Sequence, residues 1–212
     1  MKRMLHLAVL GTAICMANAQ GTFEAVWDYS AAAAGAVAGT AGWTFTPQST
    51  IKVTDLGFLD DLTSQGPVQI GLWDDQGALL AQAVVTATNV MGNITRYQSI
   101  TPVLLAGGSV YTIGAYNPNG NVFLHFVDFG TNSMDTVTPD PSNPDPDLIQ
   151  FNAAAEQDPA HANFGKPTLL FPNGLDLGAN FRFQKAVPEP ATWTLLGLGG
   201  LAVVAYRRSR RR

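Results

Sequence analysis

Residues 68–86, VQIGLWDDQGALLAQAVVT, decide the fold class. Val68, Ile70 and Leu72 alternate with Gln69 and Gly71, the period-two pattern of a strand with one buried face. Asp74-Asp75-Gln76-Gly77 follows as a tight turn, because aspartate side chains cap nearby amides and glycine takes turn dihedrals closed to other residues. Leu79 to Thr86 then returns as a second strand, and the whole stretch reads as a β-hairpin.

The same pattern extends on both sides. Arg96 to Leu105, Ser109 to Tyr116 and Val122 to Val127 read as further strands, separated by turns at Ala106-Gly107-Gly108 and Asn117-Pro118-Asn119-Gly120. From Ile51 to Phe58 the apolar phase slips: Ile51 and Val53 share one phase, Leu56 and Phe58 the other. A phase slip turns side chains to the opposite face, which predicts a bulge or bend near Asp55. Ala179 to Gln184 alternates again, with Phe181 and Phe183 on one face, and reads as a closing strand. Short strands at this spacing imply an all-β fold, an antiparallel β-sandwich or jelly roll. Two stretches break the rhythm. Ser30 to Gly42 is rich in alanine and glycine, without useful periodicity. Thr131 to Asp147 contains TPDPSNPDPD (138–147), whose prolines lack a donor for a sheet, and reads as a long solvated surface loop.

The two ends frame this core. Lys2 and Arg3, an apolar stretch from Leu5 to Met16 and the small-x-small site Ala17-Asn18-Ala19 form a secretory signal peptide over residues 1–19, cleaved before Gln20. The only cysteine, Cys15, falls inside it, so the mature chain has no thiol for disulfides, thiolate catalysis or cysteine metal clusters. At the other end an apolar run from Ala191 to Tyr206 precedes Arg207, Arg208, Arg210, Arg211 and Arg212. Arginine is costly to move through hydrocarbon, so this is a membrane stop signal with the positive block on the cytoplasmic side. At about 1.5 Å per residue that run is roughly 24 Å long, short of a ~30 Å bilayer core. Gly197, Gly199 and Gly200 weaken it further, and a marginal span suits a temporary anchor. Between the ends, residues 20–185 carry five basic side chains against fifteen acidic ones, a net charge of −10. That surface repels nucleic acid and anionic lipid, which excludes both as partners, and it attracts divalent cations.

Pro188-Glu189-Pro190, the apolar helix and the arginine block, in that order at the C-terminus, resemble the PEP-CTERM sorting signal of Gram-negative bacteria, here residues 186–212. The resemblance implies reading of the tripeptide by a membrane-embedded exosortase, after export by signal peptidase cleavage. The chain would pause in the inner membrane with its domain in the periplasm, then reach the cell surface or extracellular matrix. From Gly42 to Tyr116 the order of segments also resembles an uncharacterised β-sandwich domain of PEP-CTERM proteins. WTFTP from Trp43, VTDLGFLDD from Val53 and GLWDDQGALLA from Gly71 carry that likeness, together with YQSITPVLLAGGSVYTIGAY from Tyr97. It implies a sandwich fold and brings no catalytic residues.

The chemistry available to the exported part is sparse. His125, in VFLHFVDFG, shares a strand phase with Phe123 and Val127 and reads as a packing residue; His161 falls in a polar loop, and no HExxH spacing connects them. Gly107-Gly108-Ser109-Val110-Tyr111 begins like a nucleophile elbow but ends in tyrosine and leads from a turn into a strand. Asp60-Asp61 and Asp74-Asp75 could serve glycoside hydrolysis, though acidic pairs beside glycine are commonly turn formers. Asp140, Asp145 and Asp147 offer hard oxygens and are the calcium candidates, set against the plainer reading of a hydrated loop. Trp43 and Trp73 are the candidates for glycan contact if they face outward, with burial the competing reading. The sequence therefore points away from an enzyme and towards a structural or adhesive protein of the cell surface or exopolysaccharide matrix. The alternative is a secreted carbohydrate-binding module that uses calcium.

Overall fold

The computed structural model describes residues 21–30, 33–59, 67–128, 136–158, 163–172 and 174–186. The signal peptide, the stop-transfer run 191–206, the arginine block, Asp60-Asp61 and His161 lie outside them. The described residues form strands that we number β1 to β16 in chain order. One sheet runs β3 (Ala33–Val37), β11 (Val122–Asp128), β15 (Gly174–Leu177), β16 (Ala179–Lys185), β5 (Ile51–Leu59), β9 (Thr95–Leu105), β8 (Val90–Met91), and β1 (Phe23–Glu24) pairs beside β16. The second runs β14 (Leu169–Pro172), β13 (Ile149–Glu156), β4 (Thr40–Pro47), β10 (Tyr111–Tyr116), β6 (Val68–Asp74), β7 (Leu79–Val85). A two-stranded ribbon of β2 (Asp28–Ser30) and β12 (Thr136–Thr138) completes the set.

The two large sheets stack as a sandwich, and aromatic rings close the gap between them. Trp43 of β4 stacks on Phe181 of β16 with centroids 5.8 Å apart, and Phe45 approaches the same ring at 4.8 Å. All three are fully buried, and burying a large apolar side chain stabilises by roughly 1.5–3 kcal/mol relative to exposure. The Trp43 indole N–H donates to the Ala179 carbonyl at 2.9 Å, so its one polar atom is satisfied across the sandwich.

The hairpin forms as the sequence predicts. β6 and β7 pair in antiparallel register, the Gly77 N–H donates to the Asp74 carbonyl at 3.2 Å, and the Ala78 N–H donates to Asp74 Oδ1 at 2.8 Å. Gly77 has φ +90°, open to glycine and strained for other residues. The predicted bulge in β5 is also present: its pairing with β9 shifts between Val53 and Asp55, which buries Ile51 and Val53 before the shift and Leu56 and Phe58 after it.

Other elements differ from the sequence expectation. The Ala/Gly-rich stretch contains β3 and the start of β4, a strand flanked by β10 and β13 and buried along almost its whole length. The Pro/Asp segment is an exposed loop along most of its described length, but it is anchored inward and is not wholly solvated. Thr136–Thr138 is a strand, Asp140 and Asn143 are buried, and Asp140 Oδ2 accepts the Glu24 N–H at 3.0 Å. Asp140 Oδ1 accepts from the Ser142 N–H and hydroxyl at 2.8 and 2.6 Å, closing a local turn. Its proline-rich composition describes the exposed side, while one aspartate turns inward and holds the N-terminal segment.

Asn180 holds that segment from the other side. Its Oδ1 accepts from Val26 N–H, and its Nδ2 donates to the Val26 carbonyl, Thr95 Oγ1 and the Tyr97 hydroxyl at 2.8–3.0 Å. Arg182 pairs with Glu24 at 2.9 Å and lies over the Tyr97 ring at 4.1 Å. Burial, then the Glu24 carboxylate, push the Tyr97 hydroxyl well above its ordinary range, so it stays neutral as a hydrogen-bonding group.

Candidate functional site

Two concavities stand out, on different parts of the sandwich. The first is a cleft of about 280 Å³ where β11 and β15 meet β13 and β14. Along β15 and the following turn, Asp176 alternates with Gly174 and Gly178. A Cβ on Gly174 would lie 4.0 Å from Ala154, and one on Gly178 would press on Phe58 at 2.9 Å, so this phase faces the sandwich interior. Asp176 therefore occupies an inward position where a strand normally places an apolar residue. It is 3% exposed, and its Oδ2 has no hydrogen-bond partner.

Glu156 lines the same cleft from the opposing sheet. It pairs with Ala41 on β4, in phase with the Ala154–Trp43 pair whose indole stacks across the core, so it too projects inward. Burial raises its pKa. Burial first, and the Glu156 charge second, push the Asp176 carboxyl up to about 8. Asp128 lines the cleft as well, with Phe126, Phe171 and Pro172 around it; the described lining has no lysine, arginine or histidine. Sequence reasoning missed this site. Its signal was the run Gly174-Leu175-Asp176-Leu177-Gly178, which puts a carboxylate in strict alternation with two glycines, but the facing Glu156 becomes visible only once the sheets are paired.

The second concavity is a groove of about 610 Å³ on the outer face of the six-stranded sheet, lined in part by Thr44, Thr112, Gln76, Lys166, Pro167 and Leu170. Lys166 Nζ donates to the Asp75 carbonyl at 2.7 Å and fixes one wall. Next to it, β14 is an edge strand whose Leu169, Leu170 and Phe171 are 42%, 57% and 47% exposed.

The residues singled out from sequence are elsewhere. Trp43 is in the core, as described. Trp73 does point out of the core, as its phase predicts, yet it is 3% exposed. The reason is a row of glycines, Gly71, Gly114 and Gly42, paired across β6, β10 and β4. The Trp73 ring lies over Gly71, Pro167 sits over Gly114, and Phe164 packs on Trp73 at 5.4 Å. The chain around Phe164–Pro167 thus covers the face that would have met a sugar, and neither tryptophan presents an open ring. Asp140 is occupied by backbone, and Asp145 pairs with Lys185 at 3.0 Å. Asp147 lies within a single helical turn (Pro146–Leu148) and is exposed. Among the described residues no three His, Cys, Asp or Glu side chains gather as a metal cluster. Asp74 is a turn former. His125 is half-buried beneath the Tyr29 ring at 4.8 Å, the packing role expected of it. The processing residues Ala17, Ala19, Pro188, Glu189 and Pro190 lie outside the described residues.

The described residues make up an antiparallel β-sandwich protein with a carboxylate cleft at one end and a groove on one outer face. The chain belongs to the family described as Domain of unknown function (DUF4082), which matches residues 28–141, more than half of its length. The segment Gly42–Tyr116 that carried the sequence resemblance lies inside this match. The PEP-CTERM protein-sorting motif matches residues 186–212, which include the Pro-Glu-Pro triplet and the arginine block, and marks an exported protein sorted by exosortase. No curated protein matches the chain.

Proposed function

We propose that the protein is a non-enzymatic structural or adhesive module, displayed at the cell surface or in an exopolysaccharide matrix after sorting through its C-terminal motif. The observation that carries this reading is the exposed apolar edge strand β14 beside an open groove on the same sheet. Monomeric soluble domains seldom leave three consecutive large apolar side chains open on an edge, because such an edge invites contact. The sorting motif supplies the address, and the edge supplies the contact.

Cells carrying the wild-type chain should retain it in the surface and matrix fractions. The double variant Leu170→Asp/Phe171→Asp should be exported but recovered mainly in the medium. Equal retention of both would remove β14 as the contact surface, and failure of either to leave the cell would overturn the sorting address.

A carbohydrate-binding role is the second reading. What favours it is the groove lining, which sets polar Thr44, Thr112 and Gln76 beside apolar Pro167 and Leu170. Sugar rings need that mixture of hydrogen-bonding and apolar surface. Glycan-array binding that is lost in Thr112→Val would support it, and an unselective array would leave adhesion through β14.

A further inference from the structure

We propose that the cleft between Asp176 and Glu156 is a site for a hard divalent cation, calcium or magnesium, bridging the two sheets at the open end of the sandwich. The geometry carries it. Two carboxylates face one another from inward positions on opposing sheets, where packing alone would select apolar side chains. Asp176 is almost wholly buried, and its Oδ2 has no partner. An isolated buried carboxylate is unfavourable unless a proton, a donor or a cation compensates it. The described lining adds Asp128 but no basic side chain, so the compensation does not come from an ion pair there.

The room fits a hydrated ion. A cleft of about 280 Å³ can hold a cation with several waters. Magnesium is commonly bound by one or two carboxylates plus waters, and calcium takes six to eight oxygens drawn from carboxylates, carbonyls and water. Asp176 at the floor and Glu156 opposite supply two carboxylates, and lining backbone carbonyls and water supply the remainder. The donor set is all oxygen, which selects hard cations over zinc or copper. This site differs from the loop aspartates singled out by sequence, since Asp140 is taken by backbone and Asp145 by Lys185. The inference does not depend on the adhesive reading, and either can fail without the other.

The test is isothermal titration of calcium chloride, and separately magnesium chloride, into the chelator-treated full-length chain in mild detergent. Terbium luminescence serves as a second readout. Saturable binding at one site is expected, with a dissociation constant on the order of 10⁻⁴ to 10⁻³ M, the range of extracellular calcium modules. Asp176→Asn should abolish it, and Glu156→Gln should weaken it at least tenfold, while Asp145→Asn/Asp147→Asn should bind as wild type. Should Asp176→Asn fail to fold, the rim substitution Glu156→Gln and the terbium signal decide. Stronger binding of one ion than the other identifies the cation. Absence of saturable binding in the wild type, survival of binding in Glu156→Gln, or loss of it in the loop variant would each overturn the proposal.

Discussion

Replacing Asn180 with leucine, a side chain of similar size, should destabilise the fold by about 2–6 kcal/mol through two backbone groups, at ~1–3 kcal/mol for each buried group left unpaired. Asn180 is fully buried, and its amide joins both polar atoms of Val26 while also bonding Thr95 and Tyr97. Val26 is 1% exposed, so its orphaned N–H and carbonyl could not turn to bulk water. The Thr95 and Tyr97 hydroxyls can rotate to new partners and are left out of the estimate. Small domains are stable by about 5–15 kcal/mol, so this single amide decides a large part of the margin. The assay is a urea midpoint with its slope, combined with hydrogen exchange at Glu24 and Val26. Both amides should lose protection in the variant before the core strands do. Asn180→Asp should be worse than leucine, because the carboxylate can still accept but cannot donate and adds a buried charge. A leucine variant within 1 kcal/mol of wild type, with Val26 still protected, would refute the assignment of Asn180 as the anchor of the N-terminal segment.

Three further outcomes follow from the same structure. In chelator, stability should fall as pH rises from about 4 towards 8, by up to ~1.4 kcal/mol per pH unit. Asp176 has a folded pKa of about 8 against an ordinary 3.8, so its contribution is full below the lower value and is lost as pH climbs through the upper one. Asp176→Asn should flatten the pH profile of the midpoint, and an unchanged slope would reject the assignment. Gly71→Val should displace the Trp73 ring that lies over Gly71 and strip the cover from the outer face; a red-shifted, more quenchable tryptophan emission is the readout. A chain ended at residue 141, where the family match stops, should give no cooperative melt, because it lacks β13, which pairs with β4, and β16, which pairs with β5.

The elements legible in the sequence were those whose physics is local. The Asp74–Gly77 turn and the phase slip at Asp55 each depend on residues a few positions apart, and both were found where expected. β4 was hidden. The Ala/Gly-rich residues that open it, up to Gly42, show no period, and the alternation Trp43-Thr44-Phe45-Thr46 that follows is too short to stand out beside them. Trp73 was given the outward face with burial under a loop as the reading against glycan contact, and it is buried; what the sequence could not show is the cover itself, Phe164 and Pro167, about ninety residues further along the chain. Asp140 was misread because its partner is equally remote. Its neighbours are prolines and other aspartates that belong in water, and its actual partner is the Glu24 amide, 116 positions away.

The same locality argument separates what the family match covers from what completes the molecule. Residues 28–141 supply β2 to β12, with the hairpin and the bulge whose patterns are strongest in the sequence. The remaining described residues place β16 between β5 and β1, lay the Phe164–Pro167 cover over the glycine row, and contribute Glu156 and Asp176. Of the cleft's three carboxylates only Asp128 falls inside the matched segment. Function lives in sites carried on a fold, and β13 and β15, outside the matched segment, can bear such a site without disturbing the hairpins that specify the sandwich. By that argument the cleft is a property of this chain's completed sandwich, and not of the matched segment alone. The cation titration should therefore be read on the whole chain.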